Sequence, residues 1–164
     1  MGIRRVVCVA AIVTVMLGAE AAEKPGDDKA WHKVVKIIDG DTITVQVEWA
    51  DYARLETVRL IGVDAPERSA PYAPEALTWL KNLLKGEEVR LEYSPGPHPE
   101  RDRYGRILAY VYRGPDGFDV NLELVKQGYA ELYRKARHRR EDEFTAAADH
   151  ARRCAKGIWP EKKP

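Results

Sequence analysis

Residues 34–47 read Val34-Val35-Lys36-Ile37-Ile38-Asp39-Gly40-Asp41-Thr42-Ile43-Thr44-Val45-Gln46-Val47. A short apolar run enters Asp39-Gly40-Asp41, a turn signal. Beyond it, Ile43, Val45 and Val47 alternate with Thr42, Thr44 and Gln46. Side chains leave a strand on alternate faces, so this is a strand with one buried face. The stretch is thus a β segment, a turn and a half-buried strand.

The pattern extends outward from there. Asp51–Arg54 reads as a loop, and Glu56–Val63 as a third strand ended by Asp64-Ala65-Pro66-Glu67. Pro74 opens a helix whose apolar stripe is Ala76, Leu77, Leu80, Leu83 and Leu84, with Gly86 to close it. Glu88–Tyr93 reads as a fourth strand, Ser94–Arg103 as an exposed Pro-rich loop, and Tyr104–Tyr112 as a fifth strand. A short helix over Asn121–Gln127 stops at Gly128, and a last helix runs over Glu141–Lys156 to Gly157. This order is α+β, and it suits a closed five-stranded Greek-key barrel with three α-helices.

The 164 residues make one domain, and the 32% charged content makes it soluble in character. A formal charge of +1 excludes a binder driven by a basic tail, so an anionic partner must meet a local patch. Two cysteines exclude a disulfide scaffold. Arg4 and Arg5, the apolar run Val6–Leu17 and Ala19-Glu20-Ala21 have the form of a cleavable secretory signal over residues 1–21. The run is short for a membrane span, and an uncleaved anchor is the competing reading. The expected mature protein is secreted or periplasmic, with no stable membrane association, and monomeric. It comprises a flexible leader (22–31), a folded domain (32–160) and a polar tail (161–164). Cys154 shares helical spacing with Phe144, Ala147, Ala148 and Ala151, and is expected to be a buried, inert thiol.

His32, His98, His138 and His150 show no zinc spacing, and no phosphate-binding glycine loop or local nucleophile–histidine motif is present. Carboxylates and arginines remain. Asp41 shares the alternation of Ile43, Val45 and Val47, where a carboxylate is costly unless paired, hydrogen-bonded or metal-bound. Arg59 alternates with Ile61 and Val63, and a guanidinium there needs an anionic partner. Asp64 and Glu67 lie where a strand ends, a common place for functional groups. Each has an ordinary alternative: a turn residue, a structural ion pair, a helix cap, a surface arginine at Tyr104-Gly105-Arg106. Together they form a set of hard oxygen donors that suits Ca²⁺ or Mg²⁺, with two arginines suited to a phosphate.

Three stretches carry a resemblance: Val35–Ile43, Val58–Glu67 and Asp102–Tyr110, with weaker ones at Val120–Gly128 and Gly157–Trp159. In order and spacing they resemble the staphylococcal nuclease (thermonuclease) family over about residues 32–159. The resemblance implies an OB-type five-stranded barrel with three helices. It also implies Ca²⁺-dependent hydrolysis of DNA and RNA that leaves 3′-phosphate ends. By position, Asp41, Asp64 and the Ala65 carbonyl resemble the family's metal ligands, and Asp39 a supporting carboxylate. Glu67 resembles the glutamate that orients or deprotonates the attacking water. Arg59 and Arg106 resemble the two phosphate-holding arginines. Arg103, Tyr104 and Tyr133 resemble groups that flank the nucleotide. Three departures stand out: Ala65 replaces a threonine, the spacing from Gly128 to Tyr133 is shorter, and Ser94–Glu100 is longer. The alternative class is a non-catalytic OB barrel that only binds nucleic acid.

Overall fold

The structure is a computed structural model that describes residues 30–49, 52–94, 99–114 and 116–159. The signal segment, most of the leader, His98 and the polar tail lie outside the described residues. Strands β1 (Trp31–Ile37) and β2 (Thr42–Trp49) flank the expected turn and pair antiparallel as a hairpin. β3 (Tyr52–Leu60) follows, then β4 (Val63–Asp64), helix α1 (Ala73–Leu84), β5 (Glu88–Glu92), β6 (Glu100–Arg101) and β7 (Ile107–Arg113). The chain ends with β8 (Phe118–Asp119), α2 (Val120–Lys126), β9 (Glu131–Leu132) and α3 (Glu141–Arg153).

Pairing runs from β3 to β2, β1, β5 and β7, and β7 returns to β3 in parallel register through Val58↔Ile107 and Leu60↔Ala109. The barrel is therefore closed, which leaves no long unpaired edge. Its interior follows the period-two pattern: Val34, Ile43, Val45, Val58, Leu60, Val89, Leu91, Ala109 and Val111 are buried. Leu80 and Leu84 of α1 and Leu124, Val125, Phe144 and Ala148 of the last two helices complete the core. Asp119 caps α2 by accepting from the Leu122 N–H at 2.9 Å.

Four expectations are corrected. Tyr52–Arg54 belongs to β3 and not to a loop, because Glu48↔Ala53 and Trp49↔Tyr52 continue the ladder to a tight hairpin. The third strand does not run through to Val63. Gly62 takes φ +76° and breaks it, since a Cβ there would stand 2.9 Å from both His138 and Phe144. Arg59 consequently does not share a barrel face with Val63; Val58 and Leu60 face the core and Arg59 faces the other way. Tyr104–Arg106 forms a turn on Gly105, so the fifth barrel strand begins at Ile107. Finally, Cys154 is exposed. The apolar stripe of α3 ends with Ala151, the helix ends at Arg153, and Cys154 lies past the last turn with its Sγ 3.9 Å from His150 Nε2.

Candidate active site

The β1–β2 turn carries Asp39 and Asp41, and its shape is set by close packing. A Cβ on Gly40 would lie 2.7 Å from the Ala65 Cβ and 3.1 Å from that of Ala76. Only glycine lets this turn lie directly against the segment after β4 and the start of α1. The Ala65 N–H donates to Asp41 Oδ2 at 3.0 Å, and Thr42 Oγ1 donates to Asp41 Oδ1 at 2.9 Å. Asp39 accepts from the Asp41 N–H at 3.2 Å.

Arg59 reaches this centre from β3. Its guanidinium lies 3.1 Å from Asp41 and 3.6 Å from Asp64. It also donates to the carbonyls of Leu60 at 2.9 Å and Val63 at 2.6 Å, which pins the bend at Gly62. One guanidinium thus serves four acceptors. Tyr133, after β9, lies with its ring centre 5.8 Å from the Arg59 guanidinium carbon, and its N–H donates to the Gly62 carbonyl at 3.1 Å.

The second arginine arrives from the other side. Arg106 precedes β7 and donates to Thr42 Oγ1 at 3.3 Å, the hydroxyl that bonds Asp41. Asp102 holds it through Nε at 2.7 Å and accepts the Arg106 and Tyr104 backbone N–H groups. Burial works against the Asp102 carboxylate, but the bonds from Arg106 and the two amides outweigh it and keep its pKa below the usual value. Tyr104 is exposed, with the Arg103 and Arg106 guanidiniums 4.7 and 5.4 Å from its ring centre.

The structure therefore brings Asp41, Arg59, Asp64, Ala65 and Tyr133 together, and joins Arg106, Tyr104 and Arg103 to them through Thr42. Glu67 stands apart. It is exposed in the segment before α1, and the described residues give its carboxylate no partner. Thr42 and Asp102 escaped the sequence reading. For Asp102 a signal exists: an Asp before Tyr-Gly-Arg can bond the amides of the turn that follows.

Electrostatics separates Asp41 from an ordinary paired carboxylate. Desolvation by burial, with a contribution from Asp39, pushes its pKa up to about 6, although Arg59 and the Ala65 amide oppose the rise. Burial, and not an excess of negative charge, is the main cause, since Arg59 acts on Asp41 more strongly than Asp39 does; a hard cation would relieve the cost of a carboxylate desolvated in this way. Among the described residues no three His, Cys, Asp or Glu side chains are gathered as a metal-holding group. Against Asp41 lies the Asp64-Ala65 backbone, which meets it through the Ala65 N–H.

A family model described as "Staphylococcal nuclease homologue" matches residues 57–161, the stretch that carries Arg59, Asp64, Glu67, Arg106 and Tyr133. The chain belongs to the staphylococcal nuclease family. It is 36% identical to a thermonuclease of Staphylococcus hyicus over 135 residues, covering 78% of this chain and 75% of that one. It is 34% identical over 132 residues to an uncharacterised endonuclease of Escherichia coli, covering 80% and 78%. With a thermonuclease of Staphylococcus intermedius it shares 43% over 105 residues, covering 60% and 57%. Membership of the staphylococcal nuclease family makes the chain a nuclease of the hydrolase class, and the closed barrel with three helices is the family's OB-type fold.

Proposed function

We propose that this nuclease is exported and cleaves phosphodiester bonds of DNA and RNA with Ca²⁺, leaving 3′-phosphate ends. The observation that carries the reading is the joined set Asp41, Arg59, Asp64, Thr42 and Arg106, which links two guanidiniums and two carboxylates. Asp41, Asp64 and the Ala65 carbonyl would hold Ca²⁺, which supplies a positive charge against the phosphate. Arg59 and Arg106 bind the scissile phosphate with paired donors and stabilise the charge that grows on it as water attacks. Glu67, exposed in the segment before α1, orients that water or takes its proton. The 5′-oxygen leaves with a proton from solvent, and the phosphate stays on the 3′ side. Arg103, Tyr104 and Tyr133 offer cationic and aromatic surfaces to the flanking sugar and base.

Digestion of single- and double-stranded DNA and RNA, with Ca²⁺ and then with a chelator, tests this. Expected are cleavage of both polymers, 3′-phosphate termini, and loss of activity on chelation. Binding without cleavage in Ca²⁺ would favour the non-catalytic barrel. Export is read from residues 1–21, and N-terminal sequencing of the exported, monomeric protein should begin near Ala22.

A further inference from the structure

Between β9 and α3 the chain reads Arg134-Lys135-Ala136-Arg137-His138-Arg139-Arg140. It holds five Lys or Arg and no carboxylate, in a chain whose formal charge is only +1. The structure sorts these cations into two kinds. Arg140 pairs with Asp119 at 2.6 Å and Glu143 at 2.7 Å, and donates to the Tyr112 hydroxyl at 3.0 Å. Arg139 pairs with Glu92 and lies 5.6 Å from the Tyr110 ring centre. Both are committed to holding the loop on the barrel. His138 shares a hydrogen bond of 2.9 Å with Tyr110, and burial lowers its pKa, which keeps it neutral.

Arg134, Lys135 and Arg137 differ. All are exposed, and among the described residues none has an ion pair, hydrogen bond or ring contact of its side chain. Like charges so close together repel, and the described residues supply them no anion. Their place is fixed by what precedes them. Glu131 and Leu132 pair with Asp64 and Val63, and Tyr133 then lies against Arg59. The first free cation thus directly follows a residue that touches the candidate phosphate-holding arginine.

We propose that Arg134, Lys135 and Arg137 bind phosphates of a nucleic-acid strand beyond the one held at Arg59 and Arg106. The strand would leave the site past Tyr133 and continue along this loop. This rests on the nuclease reading and extends it: the protein favours long strands over short ones. A flexible strand of phosphates answers three unpaired charges in a row, and such contacts release counterions and are weakened by salt.

The test uses the triple variant R134Q/K135Q/R137Q and the wild type. Binding of a long fluorescent single-stranded DNA is measured by anisotropy in chelator, between about 50 and 200 mM salt. Each lost contact should remove about 0.7 from the slope of log affinity against log salt, so the variant's slope should be about 2 shallower. With Ca²⁺, KM for the long strand should rise about tenfold or more at low salt, with kcat unchanged and kinetics on a trinucleotide unaltered. The melting temperature should hold, because the three side chains make no ion pair, hydrogen bond or ring contact among the described residues. An unchanged salt slope overturns the proposal. So does an equal loss on long and short substrates, which would place these residues at the scissile phosphate. Failure of the underlying reading looks different: the wild type would bind the strand and show the slope difference yet hydrolyse nothing in Ca²⁺.

Discussion

β3 carries two charged side chains that are largely buried, Glu56 and Arg59, and each sits in a group of opposite charges. Glu56 is closed. Both its oxygens are taken by Arg101, at 2.9 and 3.0 Å, and Arg54 adds a third contact at 3.0 Å. The bond from Glu56 in turn holds Arg101 more firmly protonated than usual. Arg101 also donates to the Gly105 carbonyl at 2.7 Å, which ties the turn that presents Tyr104 to the barrel wall. Arg59 and Asp41 are less evenly matched. Arg59 is divided among four acceptors, and Asp41 keeps a raised pKa in spite of it. The same two chemical groups on one strand therefore build a structural tie in one place and an unsettled, ligand-ready centre in another. The difference lies in the kind of partner and not in the residue types: two guanidiniums close on Glu56, whereas Asp41 meets a single guanidinium that also serves Asp64 and two carbonyls.

The largest effect should come from the centre around Arg59 and Asp41. Arg59→Lys and Arg106→Lys keep the charge and lose the paired donors. Each should lower kcat by about 10²-fold or more, near 2.7 kcal/mol of transition-state stabilisation, with Ca²⁺ affinity little changed. Arg59→Lys should also lower the melting temperature, because the Leu60 and Val63 carbonyls lose their donor. Folded variants with normal turnover would show both arginines to be ties of the Glu56 kind.

Ca²⁺ itself should separate the two groups without any assay of activity. A cation bound at about a hundred times its dissociation constant stabilises the folded state by about 2.7 kcal/mol, several degrees of melting temperature for a chain of this size. Asp41→Asn should abolish that rise, and Glu56→Gln should leave it intact. A rise that survives Asp41→Asn places the cation elsewhere.

Glu56→Gln should cost about 1–2 kcal/mol, since two guanidiniums lose a charged acceptor but remain partly solvated. Calorimetry should show a lower melting temperature, while kcat stays within about twofold. A fall in kcat on the scale of the arginine variants would join the two centres into one. The smallest effect is expected at the turn that Arg101 steadies. Tyr104→Ala removes a ring flanked by Arg103 and Arg106, and should raise KM about tenfold, near 1.4 kcal/mol, as loss of one stacking contact would. An unchanged KM on both DNA and RNA rejects the contact.

Much of this was legible in the chain. The turn and half-buried strand of Val34–Val47 show because strand alternation and an Asp-Gly-Asp turn are local signals. Arg59, Asp64 and Arg106 show because they stand in ordered motifs. The break at Gly62 was hidden, since it depends on His138 and Phe144 arriving from far along the chain. The Glu56–Arg101 tie was hidden for a like reason: β6 reaches β3 only by pairing on β7. Cys154 was misplaced because helical spacing was extended past the point where the helix ends.

The parallel closure of β3 on β7 has a consequence in time. Arg59 stands opposite Leu108, and Arg106 immediately precedes Ile107, the partner of Val58. The two arginines thus meet at the one parallel seam, whose strands, like those of β1 and β5, are far apart in the chain, and contacts of that kind carry a loop-closure cost before they return any stability. A chain still being made holds Arg59 and its partner Asp41 long before it has Arg106 to set beside them. Recovery of catalysis during refolding should therefore track the formation of this seam and lag behind that of the β1–β2 hairpin. A cell making this enzyme would be exposed to its activity only once the barrel had shut.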